Sequence, residues 1–226
     1  MQRQIIITSD GSHSVAIPEL NVTYHSIHGA IQESLHVFIK AGLLFESERL
    51  QLSEPYSILE IGFGTGLNAL LTLIETQKQK NLEIHYTALE LFPLHKEEYT
   101  QLNYCEALKE PAMQEYFGKM HECEWEKDVR IAERFTLHKA NQSLPGFKPI
   151  RLFNVVYFDA FAPSAQPELW TKEIFELLYS SMSTQSVLVT YCSKGDVRRA
   201  MIAAGFIVEK IPGPPHKREM LRAIRK

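Results

Sequence analysis

An α/β fold, with a central, mostly parallel sheet and helices on both faces, is predicted for this 226-residue chain by three observations. Apolar runs of strand length ("YSILEI", "EIHYTALEL", "FNVVYFDAF", "SVLVTYCS") alternate with stretches of helical periodicity. That alternation calls for crossover connections and a sheet covered on both sides. The run "ILEIGFGTGLNALL" hands a strand over to a helix through Gly62, Gly64 and Gly66, as phosphate- and nucleoside-binding α/β folds do. Finally, 45% apolar and 23% charged residues are the proportions of an ordinary globular protein, long enough to bury a substantial core.

The elements follow in order. "RQIIIT" and "HSVAI" flank the turn-like "SDGS" and read as a small β-hairpin. In "SIHGAIQESLHVFIKAGL", Ile31, Leu35, Phe38 and Ile39 recur at helical spacing, and Gly42 suits the helix end. After "SEP", "YSILEI" is a strand and "LNALLTLIETQ" a helix; "EIHYTALEL" is the next strand. "LHKEEYTQLNY" and "AMQEYFGKM" are helical, "RIAERFTLHKA" alternates like strands, and "FNVVYFDAF" is a buried strand. "ELWTKEIFELLYSSM" is an amphipathic helix in which Trp170 is expected in the core, and "SVLVTYCS" is a strand. "DVRRAMIAAGF" is a helix with Gly205 near its end, and "IVEKIPG" and "REMLRAIR" are closing strands. With no repeat, low-complexity segment or long linker, residues 1–226 are expected to form one domain, residues 1–50 being an extension packed on it.

Composition excludes several classes. No apolar segment approaches the ~20 residues that span a bilayer, and the N-terminal apolar run is short for a signal peptide. Cys105, Cys123 and Cys192 are odd in number and far apart, which fits a reduced, cytoplasmic protein without a disulfide framework. The net charge of −3 does not mark a nucleic-acid binder, yet residues 194–226 hold nine Lys/Arg against three acids. A basic face there can contact phosphates or be solvated surface.

In such sheets ligands bind beyond the carboxyl ends of the strands. Three features fall at such ends: the glycine turn with Glu60 ahead of it, Glu90 about 25 residues on, and Asp159 after "VVYF". A dinucleotide fingerprint would need glycine at position 67, which is Leu67. Glu90 is placed to accept hydrogen bonds from ribose hydroxyls. His25, His28, Glu33 and His36 are dense, but match no zinc spacing, so no metal is expected.

These motifs resemble a known family. "ILEIGFGTGLN" followed by "ALE" resembles the cofactor motifs of Rossmann-like class I S-adenosylmethionine (SAM) methyltransferases. "YHSIHGAIQESLHVFI", "DAFAPSAQPELW", "TYCSKGDVRRAMIAAGF" and "PGPPHKREML" resemble more narrowly the methyltransferase of the MnmC/MnmD family, over about residues 24–221. The resemblance implies SAM as cofactor, held by Glu60, Gly62, Phe63, Gly64, Gly66, Asn68 and Glu90. It implies methylation of 5-aminomethyl-2-thiouridine at the tRNA wobble position to the 5-methylaminomethyl form.

An oxidoreductase half fused to many relatives has no counterpart before Lys226, so a stand-alone form is expected, with a separate enzyme supplying the amine. Asp159 is the candidate that orients and deprotonates that amine. Tyr24, Ser26 and Glu33 lie in a segment that covers the cofactor in the family; Glu33 is taken as a cofactor or amine contact. Phe161 and Pro163 shape the substrate loop, where Phe161 can stack on an extruded base. The third strand lacks the family's acidic adenine partner, and Asn141 in "KANQ" is the substitute candidate. Lys194, Arg198, Arg199, Lys217 and Arg218 are expected on tRNA phosphates. A methyltransferase acting on another amine, a non-catalytic SAM- or RNA-binding module and, more weakly, a NAD-dependent dehydrogenase stay open at this point.

Overall fold

The computed structural model describes residues 2–50 and 54–226; Ser53 of the "SEP" connection lies outside them. Eleven strands among the described residues form two sheets. The small one is antiparallel: β1 (Gln4–Ile7), β2 (His13–Ile17) and β3 (Val22–Thr23), in that order. The expected hairpin is thus present, with a third, two-residue strand too short to leave a pattern.

The large sheet has the order β10-β11-β9-β8-β4-β5-β7-β6. Its centre comprises β4 (Tyr56–Ile61), β5 (Ile84–Leu89), β7 (Phe135–Ala140), β8 (Phe153–Phe158) and β9 (Met182–Thr190), all parallel. The flanks are antiparallel: β6 (Asp128–Ala132) pairs with β7, and β11 (Glu219–Ile224) lies between β9 and β10 (Ile207–Pro212). β5 is buried at all six positions, as a parallel strand covered on both faces must be. Alternate residues feed two cores. Ile58, Leu70, Tyr86, Phe117 and Tyr157 lie in one; Leu59, Phe158, Trp170, Phe175 and Leu188 lie in the other.

The chain builds outward from β4 to β5 and β7, then returns to lay β8 and β9 on the other side. The switch in strand order therefore falls between β4 and β8, where a crevice opens beyond the strand ends. Glycine 62 follows β4 and Asp159 follows β8, so this switch brings two predicted site segments together.

One helical reading is corrected. Gly42 does not end its helix: α1 (Ala30–Ser34) runs into wider, π-type turns over Leu35–Leu44 and on into α2 (Phe45–Arg49). The glycine serves packing instead. A Cβ there would lie 3.0 Å from Val189 Cγ2 and 3.2 Å from Tyr157 Cε1, so its absence lets the helix settle on β8 and β9. "LHKEEYTQLNY" divides into α4 (Lys96–Tyr99) and α5 (Tyr104–Ala107). The remaining α-helices among the described residues are α3 (Leu67–Lys78), α6 (Gln114–Glu122), α7 (Lys172–Ser181) and α8 (Gly195–Ala203). No described helix is long and apolar enough to cross a membrane.

Candidate active site

The glycine turn between β4 and α3 is built on left-handed backbone. Gly62, Gly64 and Gly66 have φ of +90°, +51° and +74°, which side chains with a Cβ rarely adopt. A Cβ on Gly64 would also come within 2.8 Å of the Tyr24 ring. The turn is held from the next strand: Glu90 accepts from Gly64 N–H at 2.9 Å and from Phe92 N–H at 2.7 Å. His25 closes it from the N-terminal sheet, its Nε2 lying 2.7 Å from Thr65 Oγ1. Burial drives the His25 imidazole down to about 4, so it stays neutral and acts as a hydrogen-bonding strut.

Above this turn lies a cleft of about 270 Å³. Gly62, Phe63, Gly64, Glu90 and Asp159 all line it, as do Tyr24 and Phe161. Glu60, Gly66 and Asn68 do not. Glu60 is fully buried and Asn68 nearly so, one layer behind the turn. Their role is visible in the hydrogen bonds: Asn68 Nδ2 donates to Glu60 Oε1 and to Asp159 Oδ2, each at 2.9 Å. Burial pushes the Glu60 carboxyl well above the usual carboxylate range. Burial, with the Glu33 charge beside it, lifts Asp159 to about 7. The side chain at the mouth of the crevice thus sits near its midpoint at neutral pH, held in one orientation by Asn68.

A second cavity, of about 260 Å³, adjoins the first and shares Tyr24, His25, Ala160 and Phe161 with it. Tyr24 and Phe161 meet edge to face between the two, ring centroids 5.3 Å apart. Glu33 lines this second cavity and not the cleft. Its Oε2 accepts from Ser26 N–H at 3.0 Å, and its Oε1 is 2.5 Å from Lys217 Nζ. Lys217 therefore does not stand on the open basic face with Arg218; the lysine expected on phosphates forms an ion pair facing this cavity.

The other expected residues fall as follows. Asn141 is outside the cleft: its amide donates to Glu90 O at 2.8 Å, while its neighbours Gln142 and Ser143 line the wall. Pro163 lines neither cavity, although Ala162 and Ser164 line the second. Lys194, Arg199 and Arg218 are exposed and Arg198 half-buried at the C-terminal edge of the sheet, with Arg199 paired to Asp196. Trp170 is in the core as expected, and its indole N–H donates to Phe161 O at 2.9 Å, fixing that loop. The histidines disperse: His28 stacks on His216, and His36 Nε2 meets Pro212 O.

Besides the wall residues Gln142 and Ser143, Tyr191 and Arg3 escaped sequence reasoning. Tyr191 lines the second cavity and its hydroxyl donates to Ala160 O at 2.9 Å. It directly follows β9, the same strand-end signal that singled out Asp159, and was legible on that ground. Arg3 lines the cleft and reaches Pro93 O at 3.1 Å and Glu98 at 3.0 Å, tying the small sheet to the segment after Glu90. No local pattern announces a contact across some ninety residues.

A family model described as S-adenosyl-L-methionine-dependent methyltransferase matches residues 103–226, more than half the chain. A protein of Leptospira interrogans serovar Lai, "tRNA 5-methylaminomethyl-2-thiouridine biosynthesis bifunctional protein MnmC", is 30% identical over 204 residues, covering 88% of this chain and 32% of its own length. Its namesake in Burkholderia mallei is 30% identical over 232 residues, covering 96% of this chain and 34% of its own length. The chain spans about a third of the length of these relatives. The crystal structure of MnmC2 from Aquifex aeolicus matches with a TM-score of 0.78 at 25% identity, over 100% of this chain and 70% of that one. Spermidine synthase from Thermotoga maritima shares the fold, with a TM-score of 0.53 at 15% identity, over 99% of this chain and 68% of that one.

Proposed function

The chain belongs to the S-adenosyl-L-methionine-dependent methyltransferases, and we propose that it methylates the primary amine of 5-aminomethyl-2-thiouridine at the wobble position of tRNA, giving the 5-methylaminomethyl form. The observation that carries this reading is the meeting of two cavities beside Asp159: one above a glycine turn, the other facing Glu33. The relatives' role in 5-methylaminomethyl-2-thiouridine biosynthesis, given in their names, supports the same substrate.

The first cleft fits SAM. The molecule carries a sulfonium cation, a ribose and an adenine, and the cleft is lined by three carboxylates, Glu90, Asp159 and Glu168, among predominantly apolar side chains. Gly62 and Gly64 leave main chain open at its floor. Gly62, Phe63, Gly64 and Glu90 would hold the cofactor, with Gln142 and Ser143 as the wall residues nearest the place assigned to Asn141. Glu60 and Asn68 act behind them, through Asp159 and the turn. When bound, SAM supplies an electrophilic methyl carbon.

The protein's own task is to present a neutral amine in line with it. Alignment of this kind supplies several kcal/mol of barrier reduction. An alkylamine is protonated at neutral pH and its lone pair is then unavailable. Asp159, near its midpoint at about 7, accepts that proton as carboxylate and can release it again. Asn68 fixes the orientation of that carboxyl by donating to its Oδ2. Phe161 and Tyr24 offer ring faces and edges for a base taken out of its stack. Lys194, Arg198, Arg199 and Arg218 supply a salt-sensitive contribution from tRNA phosphates. The reading puts the protein in the cytoplasm and calls for another enzyme that supplies the aminomethyl group.

The test uses tRNA bearing 5-aminomethyl-2-thiouridine, incubated with the purified protein and SAM, followed by mass spectrometry of the nucleosides. Conversion to the 5-methylaminomethyl nucleoside is expected. Binding of SAM without conversion of this nucleoside would sink the substrate assignment.

A further inference from the structure

We propose that the Lys217 ammonium occupies the subsite that receives the substrate's own alkylammonium, and that Lys217 withdraws from it when an amine enters. The proposal deepens the amine-acceptor reading above and rests on it only for the identity of the natural substrate.

The subsite is built from a carboxylate and an aromatic face. The Glu33 side chain is 9% exposed, with one oxygen on Ser26 N–H and the other on Lys217 Nζ. The same Nζ lies 4.4 Å from the centroid of the Tyr191 ring. That ring is pinned by its hydroxyl, which donates to Ala160 O, next to Asp159. A carboxylate opposite a ring face is the chemistry that favours an alkylammonium over a neutral alcohol, which lacks the charge for the ring and the ion pair, and repels an acid. The box faces the second cavity, whose wall continues through Ala160 and Phe161 to the junction with the cofactor cleft.

Of the two partners, Lys217 is the one able to leave. Glu33 sits on α1, with its carboxylate buried against the N-terminal segment. Lys217 comes from the turn between β10 and β11, on a four-carbon stem whose side chain is 33% exposed. Rotation about that stem moves the ammonium without moving the backbone. The turn is tied down by other means, His36 Nε2 of the helical segment to Pro212 O at 2.8 Å and the stacked rings of His216 and of His28 just ahead of α1, so the ion pair is not its only tether. Once Lys217 leaves, Glu33 is a buried, unpaired carboxylate. That state is costly, and an incoming ammonium relieves it. A tethered lysine is therefore a competitor at high effective concentration: it keeps the pocket neutral when empty and admits only a group of its own kind.

Benzylammonium and benzyl alcohol, which place an aminomethyl or a hydroxymethyl group on one flat ring, are suitable probes. Their affinities for the full chain are measured by calorimetry in wild type, Lys217→Met, Lys217→Gln and Lys217→Met/Glu33→Gln, each checked for folding by circular dichroism. Removing the tethered competitor should tighten benzylammonium by roughly tenfold or more in both single variants. Benzyl alcohol should hardly change, and the gain should vanish in the double variant. The proposal is overturned if folded Lys217→Met and Lys217→Gln bind benzylammonium no tighter than wild type, or gain equally for the alcohol. Neither probe involves tRNA. Ammonium selectivity without methylation of aminomethyl tRNA would refute the substrate identity alone; methylation without ammonium selectivity would refute this inference alone.

Discussion

Replacing Asp159 with asparagine separates ionisation from shape. The two side chains are nearly isosteric, and an asparagine carbonyl can accept the Asn68 N–H that now reaches Asp159 Oδ2 at 2.9 Å. Only the titrating proton is lost. Burial first, and the Glu33 charge second, raise this carboxyl from 3.8 to about 7. Between those values the folded protein keeps a proton that the unfolded chain has released. The group's contribution to stability is therefore fully present below 3.8 and lost as the pH rises through about 7. At ~1.4 kcal/mol per pH decade, the ionised carboxylate costs the native state at most about 4 kcal/mol at pH 8. Its partial exposure at the cleft reduces that to roughly 1–2 kcal/mol.

An Asp159→Asn protein should therefore melt about 2–8 °C higher than wild type near pH 8. The difference should shrink toward zero near pH 4. Turnover should move the other way, falling by ~10² or more, the scale of a lost positioned proton acceptor. The wild-type rate should also rise with pH through a limb near 7 that the variant lacks, while SAM affinity changes little. Calorimetric melts across pH 4–8 without cofactor, paired with single-turnover methylation of aminomethyl tRNA, measure both. A lower melting temperature at pH 8 with turnover retained would refute the reasoning and make Asp159 a structural residue.

Three further outcomes are expected. Gly64→Val should abolish measurable SAM binding in calorimetry, because its φ of +51° is strained for a β-branched residue and its Cβ would lie 2.8 Å from Tyr24; near-normal affinity would move the cofactor away from this turn. Gly42→Ala should cost about 1–3 kcal/mol in denaturant unfolding, since the added methyl meets Val189 and Tyr157 at 3.0 and 3.2 Å, and an unchanged midpoint would deny the close approach of helix and sheet. Lys194→Glu combined with Arg218→Glu should weaken tRNA binding and flatten its dependence on salt by about one in slope per lost phosphate contact, with SAM affinity unaffected. An unaltered slope would leave that edge as solvated surface.

The parts of this site legible in the sequence are those that short stretches of chain determine. Positive φ at Gly62, Gly64 and Gly66 is a demand of the local turn, and the apolar run of β8 ending at Asp159 is a demand of a strand covered on both faces. Both could be read without knowing any neighbour. Glu90 was legible for the same reason, at the end of the next buried strand. The helix through Gly42 was misread because the local end-signal of a glycine is the same whether the chain stops there or must pass close to a sheet. Lys217 was misplaced for a kindred reason: a lysine among Arg218 and other basic residues reads as surface charge. Only the pairing of β11 with β9, and the position of α1 beside them, set its ammonium against a carboxylate 184 residues earlier. Local backbone preference and hydrophobic period act over a few residues and are written in the sequence. Which strands become neighbours depends on burial summed over the whole chain, and that tertiary choice turned three separate strand ends into two adjoining cavities beside Asp159.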